Sequence, residues 1–191
     1  MLAVETFLVR HGSYDRPAGE LNEQGMQDAA QAAEDLQAAG LGAFALILSS
    51  DAPRTMGTAH IIADCLSLGP VVPSKRMNVG GNAGPTAIDD LDRWILTALD
   101  EAGVTLEGRE GLVVVTHEPL IAAAQRSMDS DSRGDIGYGE VLRYTPGVWT
   151  SPYFSAASAA LAEEQIAAAN NPAGAQPGEG PGTWETLRFT S

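Results

Sequence analysis

Three apolar runs in this 191-residue chain stop at residues that can do chemistry. Phe7-Leu8-Val9 is followed at once by Arg10-His11-Gly12, and Leu46-Ile47-Leu48 leads through Ser49-Ser50 to Arg54. Val113-Val114-Val115 leads through Thr116 to His117-Glu118. If the runs are parallel strands of one sheet, ligands bind outside their carboxyl ends, and two arginines and two histidines share one crevice. Such a grouping is costly without an anion, and a phosphoryl group suits it because planar guanidinium forks match its oxygens. Burial and neighbouring cations both disfavour an imidazolium, so one histidine is kept neutral and nucleophilic near neutral pH. Its nitrogen can attack phosphorus in line, with the arginines and the second histidine stabilising charge. No two of the three histidines have an i, i+4 ligand spacing, and an arginine beside a ligand would oppose a cation, so no metal and no cofactor are expected.

The elements that position these groups alternate between strand and helix patterns. Thr6–Val9, Phe44–Leu48, Val71–Val72 and Leu112–Val115 read as strands, and Glu140–Tyr144, which alternates in polarity, reads as an edge strand. Gly25–Ala39, preceded by Asn22-Glu23-Gln24 and stopped by Gly40, reads as a capped helix. A second helix runs from Pro53 through Met56, Ile61, Ile62 and Leu66, with Ser49-Ser50-Asp51-Ala52 before it as an N-cap. Thr86–Ala102 has helical spacing, its Asp89, Asp90 and Asp92 reading as a solvated start, and Pro119 opens a short helix through Ala124. Continuous apolar strands are buried on both faces, so the expected fold is α/β: a three-layer α/β/α sandwich with a mostly parallel mixed sheet. Residues 1–147 are expected to form the catalytic domain. Residues 148–191 read as an extension: an Ala-rich helix over Ala156–Ala169, a Pro- and Gly-rich linker over Asn171–Gly182 and a final strand over Trp184–Phe189.

Eleven Lys and Arg against 25 Asp and Glu give a net charge of −14, which repels nucleic acid and anionic membranes. A phosphate-bearing substrate, whether phosphoprotein or small ester, then needs a local cationic pocket. The single cysteine, Cys65, forms no internal disulfide and reads as a small core residue; His60 reads as packing or surface. The longest apolar run is too short to span a bilayer, and the expectation is a cytoplasmic protein. The oligomeric state is not legible.

Four motifs in order resemble the histidine phosphatase superfamily, also called phosphoglycerate mutase-like: Leu8-Val9-Arg10-His11-Gly12, Leu21-Asn22-Glu23-Gln24-Gly25, Ser49-Ser50-Asp51-Ala52-Pro53-Arg54-Thr55-Met56-Gly57-Thr58-Ala59 and Val114-Val115-Thr116-His117-Glu118-Pro119. The resemblance implies a phosphoglycerate mutase-like fold, His11 as the phosphorylated nucleophile, Arg10 and Arg54 gripping the phosphate, and His117 completing the pocket. Many members carry a glutamate between the second arginine motif and the late histidine as general acid. Arg76–Pro85 here contains no carboxylate, which looks more like the compact bacterial phosphohistidine phosphatases. That pattern implies a phosphatase whose leading substrate class is phosphorylated protein histidine, since imidazole leaves with little need of a strong acid. The alternatives are a broad small-molecule phosphomonoesterase, with Glu118 or Glu20 as acid, and a non-catalytic phosphoprotein-binding module; mutase activity is disfavoured. Ser13 is a further candidate for hydrogen bonding to the phosphate.

Overall fold

The computed structural model describes residue 2 and residues 4–78, 91–122, 136–145 and 183–187. Six strands form one sheet: β1 (Glu5–Arg10), β2 (Leu46–Ser50), β3 (Val71–Ser74), β4 (Gly111–Thr116), β5 (Val141–Thr145) and β6 (Thr183–Leu187), in the order β3-β2-β4-β1-β5-β6. The first four in that order are mutually parallel; β5 runs antiparallel to β1, and β6 antiparallel to β5. The helices are α1 (Glu23–Ala38), α2 (Pro53–Leu66) and α3 (Leu91–Glu101), and residues 118–122 are also helical.

The strand period of two divides each apolar run between two cores. Phe7, Val9, Ile47, Val113, Val115 and Val141 pack with Ala32, Ala33 and Leu36 of α1 and Ala59, Ile62 and Ala63 of α2. Leu8, Leu48, Leu112, Val114 and Leu142 pack on the other face with Leu91, Ile95, Ala98 and Leu99 of α3 and with Leu120 and Ile121. Every residue of β2 and β4 is buried, which is why neither strand alternates in polarity. The result is the expected three-layer α/β/α arrangement around a mixed sheet. No helix among the described residues is long and apolar enough to cross a membrane.

Several local expectations are corrected. Phe44 lies in a turn before β2 with 64% of its surface exposed, because the strand begins only at Leu46. β5 is not an edge, since β6 pairs along its outer side; the expected final strand is Thr183–Leu187. The N-cap of α2 is Ala52, which offers no side-chain oxygen, so the serines before it are free for other bonds. Cys65 is exposed on α2 rather than in the core, while His60 takes the surface position, one of its two expected places. Asp92 is not a solvated helix start: its carboxylate accepts from the Tyr144 hydroxyl at 2.5 Å and from the Leu2 amide at 3.1 Å, tying α3 to β5 and to the start of the chain. The helices expected at 86–90, 123–124 and 156–169 and the linker at 171–182 lie outside the described residues.

Candidate active site

The register levels the strand ends. Arg10 of β1 stands opposite Thr116 of β4, and Ser49 of β2 opposite Val115, so His11 and His117 each emerge one residue beyond neighbouring parallel strands. A backbone bond from His11 N–H to Thr116 O (3.1 Å) closes this junction. The loop after β1 then runs directly over the start of α1. A Cβ on Gly12 would lie 2.3 Å from Gly25 O, and one on Gly25 would lie 1.8 Å from Ser13 O, so both positions require glycine by close approach. Asn22 caps α1 by accepting from Gly25 N–H at 2.9 Å, which presents Gly25 at that contact. Thr58 of α2 fastens the other side: its hydroxyl accepts from Gly12 N–H at 3.0 Å and donates to Arg54 O at 2.9 Å.

Arg54, in the first turn of α2, joins the two histidines. Its Nε–H donates to His11 Nε2 at 3.2 Å, and its Nη2 lies 3.2 Å from His117 Nδ1. Because a guanidinium can only donate, both imidazole nitrogens act as acceptors. His11 Nδ1 is 2.8 Å from Gly12 O, a carbonyl that needs a donor, so His11 carries its proton on Nδ1 and points the Nε2 lone pair into the site. The rings of His11 and His117 meet edge to face at 5.2 Å. Arg10 enters from the other side, where its Nη1 donates to Ile136 O and its guanidinium lies 4.1 Å above the Tyr138 ring. Its buried Nε has no hydrogen-bond partner among the described residues. Tyr14 stacks under Arg54 at 4.7 Å and stands edge-on to His11 at 5.2 Å.

The electrostatics follow from burial among cations. His11 is 5% exposed and His117 3%. Burial is the main cause that lowers His11 to about 4; the Gly12 carbonyl opposes it, and Arg54 and Arg10 add to it. His117 is lowered to about 3 by burial first, then by Arg54, His11 and Arg10. Both imidazoles are therefore neutral at pH 7, one with a lone pair that could reach phosphorus, the whole flanked by two permanent cations.

Arg10, His11, Arg54 and His117 are thus brought together. Ser13 is not available as expected, since both its amide (2.9 Å) and its hydroxyl (2.7 Å) donate to Asp28 Oδ2 on α1. Glu20 is exposed in the loop before α1, where its carbonyl accepts from Asp15 N–H at 3.0 Å. Glu118 is half-buried at the start of the helical residues 118–122, next in the chain to His117. Sequence reasoning missed Tyr14, Ser50, Thr58, Asn78 and Tyr138; only the Arg54-to-Thr58 spacing, which places both on one face of α2, carried a signal.

Residues 6–78 match the family model of the histidine phosphatase superfamily, branch 1, a segment that includes Arg10, His11 and Arg54 and ends before His117. Among solved structures, a mycobacterial glucosyl-3-phosphoglycerate phosphatase in complex with inorganic phosphate aligns with a TM-score of 0.54 at 22% identity, covering 75% of this chain and 90% of that one. The chain has the histidine phosphatase fold. A protein assigned as the phosphohistidine phosphatase SixA, from Agrobacterium tumefaciens, shares this fold with a TM-score of 0.54 at 17% identity, covering 75% and 91%. So does a phosphoserine phosphatase from Entamoeba histolytica in complex with 3-phosphoglyceric acid, at 0.52 and 17%, covering 74% and 90%. No curated protein matches the chain at the level of sequence. In the histidine phosphatase fold of this chain, the matched segment supplies the strand, loop and helix around His11, and β4 delivers the second histidine.

Proposed function

We propose that this protein is a phosphohydrolase that works through a phosphohistidine at His11 and needs no metal. The observation that carries the reading is the pairing of a neutral, Nδ1-protonated His11 with Arg54 at its Nε2 and Arg10 nearby. When a phosphoryl group enters, Arg54 exchanges its bond to Nε2 for one to a phosphoryl oxygen, and the free lone pair attacks phosphorus. A P–N bond to Nε2 forms as the bond to the leaving group breaks, and the leaving group takes up a proton from solvent. Water then attacks the same phosphorus, releasing inorganic phosphate and returning the electron pair to Nε2. Arg10 and Arg54 hold the equatorial oxygens through both steps, and His117 completes the pocket.

The leading substrate class is a phosphorylated protein histidine. It is supported by the lack of carboxylates in Arg76–Pro85 and by the engagement of the nearby ones elsewhere: Asp28 accepts from Ser13 and Asp51 from Asn78. An imidazole leaving group needs little help from an acid. The second reading is a small phosphate monoester with Glu118 as proton donor, favoured by the names of the mycobacterial and Entamoeba phosphatases that share the fold. One experiment separates them: phosphate release from a phosphohistidine-bearing protein and from a panel of monoesters, each with and without chelator. Faster release from the phosphoprotein, unchanged by chelator and abolished in His11→Ala, is expected. Activity that survives His11→Ala removes the nucleophile assignment, and a strong preference for one sugar phosphate removes the leading substrate class.

A further inference from the structure

His117 has two ring nitrogens, and its partners decide which one carries the proton. Arg54 Nη2 has only hydrogens to offer, so Nδ1 of the neutral ring is the acceptor and Nε2 carries the N–H. Nε2 lies 3.0 Å from the hydroxyl of Ser50, a fully buried residue at the end of β2. Ser50 Oγ also accepts from Ala52 N–H at 3.3 Å and donates its own proton to Asn78 Oδ1. The Asn78 amide cannot be turned the other way round, because its Nδ2 donates to the carboxylate of Asp51.

Every bond in this series therefore runs in one direction, from cation to anion: Arg54 to His117, His117 to Ser50, Ser50 to Asn78, Asn78 to Asp51. Such a chain polarises each of its members in the same sense. Its outer part is held by backbone. Asn78 N–H bonds Lys75 O at 3.0 Å, and the Thr116 hydroxyl donates to Met77 O at 2.9 Å, so the residue before His117 grips the residue before Asn78.

We propose that Ser50 and Asn78 are positioning residues that fix His117 as its Nε2–H tautomer, so that the Nδ1 lone pair faces Arg54 and His11. Arg54 demands the acceptor at Nδ1 and Asn78, through Ser50, secures the donor at Nε2, so the two ends of the chain hold the tautomer together. While Asn78 Oδ1 takes the Ser50 proton, that hydroxyl can only accept from His117; without it, the hydroxyl turns to donate to Nε2, and the opposite tautomer becomes available. The charged and titratable groups acting on His117 are Arg54, Arg10 and His11 in the site and Asp51 at the far end of the chain.

The functional consequence rests on the phosphatase reading, but the test does not. Nitrogen-15 NMR of histidine-labelled full-length protein near pH 7 reports the tautomer directly. The Nε2–H form is expected in the wild type and a shift toward Nδ1–H in Asn78→Ala. Asn78 is exposed, so this substitution avoids the folding risk of Ser50→Ala. In parallel, kcat on an aryl phosphate should fall about 3- to 10-fold in Asn78→Ala, the worth of one hydrogen bond, while KM changes little. A wild type in the Nδ1–H form, or an Asn78→Ala tautomer identical to wild type, overturns the inference. Wild-type protein that shows the expected tautomers but no turnover refutes the phosphatase reading instead.

Discussion

Two buried neutral histidines make folding of this chain depend on pH in a calculable way. His11 and His117 titrate at 6.5 when unfolded and are lowered to about 4 and about 3 in the folded chain. Between those limits the unfolded state binds more protons than the folded one, so stability rises with pH. The stabilisation relative to acid is fully present above pH 6.5 and is lost as pH falls toward the folded values. Moving from near pH 7.5 to about pH 4.5 protonates each histidine almost completely in the unfolded chain and only slightly in the folded one. At about 1.36 kcal/mol per unit of pKa, that loses roughly 2.5 kcal/mol for each ring, or about 5 kcal/mol for the pair. A domain of ordinary stability has only about 5–15 kcal/mol in all. Urea unfolding in phosphate-free buffers at the two pH values measures the loss in the wild type and in His117→Gln. The carboxylates titrate in both proteins, so the difference of the differences isolates the ring. The wild type is expected to lose about 2.5 kcal/mol more than the variant across that interval. Equal losses would refute both the burial argument and the neutral state of His117 on which the site chemistry rests.

Other substitutions read other parts of the site. Arg54→Lys keeps the charge but loses the planar fork whose separate Nε and Nη2 reach the two imidazoles, and kcat on an aryl phosphate should fall by about 100-fold or more, with the fold unchanged by circular dichroism. Thr58→Val is nearly isosteric and leaves the buried Gly12 N–H without its acceptor; urea titration should show a loss of about 1–3 kcal/mol. Gly25→Ala drives a methyl into Ser13 O and should cost more than about 3 kcal/mol, or yield insoluble protein, whereas Gly69→Ala, where a methyl meets nothing and the backbone is not left-handed, should cost far less. Incubation of the wild type with an aryl phosphate followed by rapid quenching should trap an acid-labile, base-stable phosphoryl group that His11→Asn does not form.

The histidines and arginines were legible because each follows a buried run, and the chemistry of a strand end can be read before the strand's neighbours are known. Their tautomers were not, since these depend on register. Ser50 illustrates the limit: Ser49-Ser50-Asp51-Ala52-Pro53 has the composition of a helix cap, yet the chain begins α2 one residue after Ala52 and turns the Ser50 hydroxyl to His117. Nothing in sequence distance links Asn78 to Ser50, which meet only because β3 pairs beside β2. Cys65 shows the opposite error, where an apolar helix context led to burial for a residue on the solvent face. Phe44 belongs to an apolar run by composition and to a turn by geometry. The alternation at 140–144 correctly indicated a strand, but its position within the sheet depended on a partner 42 residues further along.

The loop between β1 and α1 is closed at its base. Tyr14 bridges Leu21, Asn22 N–H bonds Ser13 O at 3.2 Å, and Gly12 lies against Gly25, so residues 15–20 leave the body and return to nearly the same point. Closing a loop whose ends are already held costs little more as it lengthens. This excursion is therefore a socket: a longer segment could be spliced into it without moving His11 or the start of α1. A scaffold of this kind can lengthen or trim that excursion at one seam while His11 and the start of α1 stay where they are.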